Sequence, residues 1–155
     1  MEDSLEFRIG ISDREHVVVQ PRRRKSPGPE DFYDGNWVDA AIHIGAGGFQ
    51  GQVESVLRSE EFVSFRDQLR PLHATLTGRA TFDTCEGWLR IQVEGDGKGH
   101  FHAECEATDR PGTGNRLVFK IDFDQTEVPE ILRGLDAICD AIPVVGRKPQ
   151  GSGSS

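Results

Sequence analysis

Between residues 87 and 123 apolar and polar positions alternate: Leu89, Ile91 and Val93, then Phe101, Ala103 and Cys105, then Leu117, Phe119, Ile121 and Phe123. Period two is the spacing of a strand with one buried face, so the stretch predicts three strands in succession. The segments between them, GDGKG (95–99) and DRPGTGN (109–115), are turn-forming: glycine supplies positive φ and Pro111 presets a turn. Both connections are therefore expected to be hairpins. If Val93 faces Phe101 and Ala107 faces Leu117, the polar side of the ladder pairs Arg90 with Glu104, Glu104 with Lys120, Glu94 with His100 and His102 with Asp122.

The same reading extends to both ends of the chain. Residues 5–11 and 16–19 predict two strands joined by a polar turn, and 36–44 with 49–57 predict a hairpin around GAGG in which Ile44 faces Phe49. The outer face of that hairpin carries Trp37, Ala41 and Val56 among His43, Gln50 and Gln52, apolar enough to require a cover from the chain or a docked partner. From Ser59 the period becomes three and four. Phe62, Phe65, Leu69 and Leu72 predict a helix capped by Ser59 and ending near Leu69, because Pro71 disfavours helix for its predecessor. Residues 76–82 predict a further strand. Residues 127–141, with Thr126 as cap and Pro129 in the first turn, carry a continuous stripe from Val128 to Cys139 that needs an apolar surface to lie on.

These elements define an α+β fold: a curled antiparallel sheet of about eight strands, a mid-chain helix, and a C-terminal amphipathic helix packed on the apolar face. Residues 1–143 are expected to form a single domain and 144–155 a disordered tail of linker-like composition. Residues 21–35, with three prolines, two glycines and the basic run Arg22–Lys25, are expected to be the one long loop.

Charge narrows the partner. At a net charge of −8 the chain is unsuited to nonspecific binding of nucleic acid or an anionic membrane, and suited to a basic partner. No apolar run approaches the roughly 20 residues of a membrane-spanning helix, and the N-terminus begins acidic, so a cytoplasmic location is expected. Cys85, Cys105 and Cys139 have neither the number nor the spacing of a disulfide framework or a zinc site. In GAGGFQG the third glycine is misplaced for a dinucleotide loop, and a strand follows where the motif needs a helix. The basic run reads either as a phosphate clamp or as a solvated loop. One motif suggests a metal: HFHAE places His100, His102 and Glu104 on one strand face, near Asp122. The competing reading of that face is a solvated ladder of ion pairs, and on it no cofactor is expected.

The segment EDFYDGNWVDAAIHI (30–44) sets acidic and aromatic residues before an Asp-Gly-Asn-Trp turn and an alternating strand. Together with the surrounding order of strands and helices, it resembles the WapI-like immunity proteins over most of residues 5–142. The resemblance implies a small, non-catalytic bacterial antitoxin that binds and neutralises a toxin domain, often a nuclease. No catalytic residues carry over from the family. Contacts expected from the residues themselves are the loop acids Asp31 and Asp34, the aromatics Tyr33 and Trp37, and the sheet acids Glu94, Glu104 and Glu106. Two alternatives remain at this stage: a small metal-dependent enzyme using His100, His102 and Asp122, and a structural subunit of a larger assembly.

Overall fold

The computed structural model describes residues 5–25 and 31–146. Eight strands form two four-stranded antiparallel sheets, each with strands in chain order. The first sheet holds β1 (Phe7–Ile9), β2 (Glu15–Arg24), β3 (Trp37–Ala46) and β4 (Phe49–Arg58), with the one-turn helix α1 (Phe32–Gly35) between β2 and β3. The 17-residue helix α2 (Ser59–Thr75) follows. The second sheet holds β5 (Thr77–Asp83), β6 (Leu89–Asp96), β7 (His100–Thr108) and β8 (Arg116–Asp124), and a 3₁₀ turn leads into α3 (Val128–Ala141). The fold is thus α+β, and its plan of four strands followed by a long helix occurs twice.

The core lies between the inner faces of the sheets and the two long helices. Phe7 of β1, Phe62 and Phe65 of α2, and Phe82 of β5 meet with ring centroids 5.2 to 6.2 Å apart, joining the two halves at one aromatic cluster. The predicted meander contributes Leu89, Ile91, Val93, Phe101, Ala103, Cys105, Phe119, Ile121 and Phe123 to the same core. The stripe on α3 is buried at Val128, Ile131, Leu135 and Ile138. Gly134 lets α3 approach β1, since a Cβ there would lie 2.3 Å from the Glu6 carbonyl oxygen.

Several local expectations are corrected. Two of the three expected hairpin registers are displaced by two residues, Ile44 facing Gly51 and Val93 facing Ala103, whereas Ala107 faces Leu117 as expected. In the first hairpin the reason is a two-residue Gly47–Gly48 turn, with Gly47 at φ 65°, in place of a four-residue loop. A shift of two keeps each side chain on its face, so the faces were read correctly while the partners were not, and Phe49, expected opposite Ile44, is left 68% exposed at the hairpin tip. Arg90 therefore faces Glu106, and Glu94 faces His102, whereas Glu104–Lys120 and His102–Asp122 pair as expected.

Strand β2 continues through Pro21 to Arg24, where a loop was expected. Pro21 pairs with Ala40 on one side, at a bulge, and its missing N–H points past the end of β1, where no ladder bond is required. Helix α2 runs through Pro71 to Thr75 because Leu69 and Leu72 are both core residues, and their burial outweighs the lost backbone bond. Its N-cap is Arg58 rather than Ser59, and the turn before α3 is capped by Asp124, whose carboxylate accepts from the Thr126 N–H at 2.9 Å. At the C-terminus, Asn36 bonds both the N–H and the carbonyl of Val145. Residues 147–155 of the expected tail lie outside the described residues.

Candidate partner-binding surface

The loop carrying Asp31, Tyr33, Asp34 and Trp37 is built around one cation. Arg58, at the end of β4, is 6% exposed, and its guanidinium donates to the carbonyls of Tyr33 (2.9 Å) and Phe32 (2.7 Å) and to the Glu60 carboxylate (2.8 Å). It also lies 5.2 Å from the Phe32 ring centroid and 4.7 Å from that of Trp37. A guanidinium, planar and rich in donors, can satisfy two carbonyls while its faces meet aromatic rings, which lysine could not do. The result fixes the α1 turn over the base of β3 and β4.

Asp31 caps that turn, its carboxylate accepting from the N–H groups of Tyr33 and Asp34 at 3.1 Å. Tyr33 is 55% exposed and Asp34 is exposed, whereas Trp37 is half-buried beneath Arg58. Much of the cover that the outer face of β3 required therefore comes from the chain itself. Gln20, His43 and Glu6 extend it as a polar network across the neighbouring strands, with Gln20 donating to Glu6 at 2.9 Å and meeting His43 at 3.0 Å.

The basic run lies at the end of β2 rather than in a loop. Arg22 makes a bidentate pair with Glu54 (2.6 and 3.2 Å), Arg23 lies 4.0 Å from Asp39, and Arg24 donates to the carbonyls of Gly35 and Pro143. Three arginines thus cross-link β2 to β3, β4, the α1 turn and the segment after α3. The prolines on either side of the run masked the strand in the sequence.

Glu94, Glu104 and Glu106 share the outer face of the second sheet. Glu94 pairs with Arg79, Glu106 lies 3.3 Å from Arg116, and Glu104 faces Lys120 across the ladder. No hydrogen bond or ion pair among the described residues joins these acids to the α1 turn, so the sequence-predicted contacts fall into two groups. At one end of the face Glu94, Asp96, His100, His102, Asp122 and Asp124 line an open cleft of about 650 Å³. Two of its carboxyls are held below the ordinary range, Asp96 chiefly by the Lys98 N–H and Asp124 chiefly by the Thr126 N–H.

His102 meets Asp122 at 2.6 Å and lies 3.9 Å from Glu104. Among the described residues no group of three or more His, Cys, Asp or Glu side chains is placed to hold a metal ion. Cys105 and Cys139 are buried, and burial pushes the Cys105 thiol up to about 12. Exposed Cys85 instead offers its backbone N–H to Glu61 at 2.5 Å. No helix among the described residues is long and apolar enough to cross a membrane.

Sequence reading missed Glu61. This residue is 8% exposed, accepts from the backbone N–H groups of Arg58 (2.8 Å) and Cys85 (2.5 Å), and is pushed by burial up to about 7. It ties the β4–α2 corner, and with it Arg58, to the β5–β6 turn.

The acidic outer face of the second sheet and the α1 turn with its exposed Tyr33 stand on an α+β domain. The particular family follows from the chain itself: the model of the immunity protein WapI-like family matches residues 8–143, and the chain belongs to that family. It is therefore an immunity protein, whose role is to bind a cognate toxin. No curated protein matches it. Among solved structures it is similar to the Trypanosoma bruciei MRP1/MRP2 crystal structures at 13% identity and a TM-score of 0.50, covering 90% of this chain and 86% of that one. At that identity the likeness concerns the fold alone.

Proposed function

We propose that this immunity protein neutralises a basic toxin domain, a nuclease, by covering the cationic surface with which that domain holds phosphates. The observation that carries this reading is the pairing of a net charge of −8 with Tyr33, an aromatic held 55% exposed on a turn that Arg58 and Asp31 make rigid. Rigid exposed aromatics are effective anchors because little entropy is lost when they are buried, and surrounding charge sets the encounter rate. In this reading Tyr33 is the anchor and Trp37 the floor beneath it. Asp31 and Asp34 flank the anchor, and Glu94, Glu104 and Glu106 supply the field and a second area of contact.

The test is a binding titration of the cognate toxin domain, paired with growth rescue of cells expressing it. Tyr33→Ala is expected to weaken binding by about 30-fold, the size of a hot-spot truncation, without altering thermal stability. Wild-type affinity is expected to fall as salt rises, through a slower association rate. Unchanged affinity in a folded Tyr33→Ala protein removes the anchor assignment, and a toxin domain that is acidic and does not cleave nucleic acid removes the nuclease reading.

A further inference from the structure

Two sheets present four edges, of which two are closed to an incoming strand and a third is guarded by charge. Strand β1 is three residues long and lies under α3, with the backbone of Glu6 against Gly134. The edge of β5 is capped by a side chain: the Gln68 amide of α2 accepts from the Thr81 N–H at 3.0 Å and donates to the Thr81 carbonyl at 3.2 Å, as a neighbouring strand would. The edge of β8 carries Arg116, Val118, Lys120, Asp122 and Asp124 at alternate positions, four charges in five, a pattern that discourages pairing.

Strand β4 has none of these devices. It is ten residues long, contains neither lysine nor proline, and among the described residues pairs only with β3. The phase of its ladder follows from two bonds: the Gly47 N–H donates to Arg14 on the β2 side, and the Ser59 N–H donates to Asn36 of the segment leading into β3. Odd-numbered residues of β4 therefore bond inward to β3, and the N–H and C=O groups of Gln50, Gln52, Glu54 and Val56 point away from the sheet. The only charge among these four, Glu54, is drawn off by Arg22. Beside them Gly51 leaves open space. The edge spans about 20 Å from residue 50 to 56 at the rise of a strand. It runs from Phe49, 68% exposed at the hairpin tip, to Arg58 and the Tyr33 turn.

We infer that β4 is a docking edge, and that a strand of the toxin domain adds to it. This rests on the immunity reading above and extends its contact surface from Tyr33 along β4. Unpaired, regularly spaced backbone donors and acceptors are complemented by an extended chain and by little else. The occupant is the toxin rather than a second copy on grounds of charge: a second copy brings a further −8, whereas a basic partner is drawn in.

Proline isolates the backbone contribution. At residue 52 the N–H points away from β3, so Gln52→Pro removes a docking donor without breaking a bond of the native sheet, while Gln52→Ala changes only the side chain. Both are titrated against the cognate toxin domain, whose identity is fixed beforehand by growth rescue with wild type. Gln52→Ala is expected to bind within about threefold of wild type, and Gln52→Pro at least about 100-fold more weakly, with circular dichroism unchanged. In the wild-type complex the amides of residues 50, 52, 54 and 56 gain protection from hydrogen exchange, a reading that requires no variant to fold. A folded Gln52→Pro that binds as wild type does, or a complex without that protection, overturns the inference and leaves the immunity role standing. A toxin-free dimer abolished by Gln52→Pro assigns the edge to a second copy and overturns it equally. Failure of the wild type to rescue or bind any toxin domain removes the immunity reading first, and this inference with it.

Discussion

Arg58 is the residue on which the α1 turn depends, and its removal has a calculable consequence. Arg58→Ala removes the donors to the Tyr33 and Phe32 carbonyls and to the Glu60 carboxylate, leaving Phe32 only its bond from Asn36, and empties the space between Phe32 and Trp37. The cost is expected to be about 3 kcal/mol in urea unfolding, and Arg58→Lys is expected to recover less than half because an ammonium cannot reproduce the fork. Glu61 makes a prediction about pH. Burial raises its carboxyl from 4.5 to about 7 in the folded chain, against the pull of the Arg58 and Cys85 N–H groups. Between these values the folded state keeps a proton that the unfolded chain has released, so this group's contribution falls as pH rises from about 4.5 to 7. Denaturation of wild type and Glu61→Gln at pH 5 and 7.5 is expected to show wild type gaining on the variant at the lower pH, by an amount of order 2 kcal/mol. Neither residue was legible in the sequence. Arg58 acts on carbonyls about 25 positions away, and a glutamate in the first helical turn reads as a solvated dipole partner until its burial is known.

At the scale of elements the sequence was informative wherever a face had to be buried. The meander, its inward residues and the stripe of α3 were all readable, because period is a property of the chain. Partners were less so: the alternation leaves registers two residues apart nearly equivalent, and only the turn geometry chooses between them. Proline misled twice: at Pro21 the missing N–H had no acceptor to lose, and at Pro71 the burial of Leu69 and Leu72 outweighs the bond that is lost. Gly134 shows the same dependence on context. Nothing around it marks a close approach, yet the Glu6 carbonyl lies where its Cβ would be. Gly134→Ala, ordinarily favourable in a helix, is expected here to destabilise by about 2 kcal/mol, lowering the thermal midpoint by several degrees. An unchanged or raised midpoint contradicts that packing.

For the molecule as a whole, the family was legible in the sequence while the arrangement of its surface was not. The EDFYDGNW segment and the order of elements pointed to an immunity protein, and charge pointed to a basic partner. That the expected contacts divide between the α1 turn and the second sheet, and that β4 is left open between Phe49 and Tyr33, required the topology. In each sheet every strand pairs with its neighbour in sequence, without a crossover. Loop closure therefore costs little entropy at each step, and the first sheet can close on the ribosome before the second is synthesised. An inhibitor is useful only if it matures before the poison it must meet, and a chain assembled hairpin by hairpin is built for readiness.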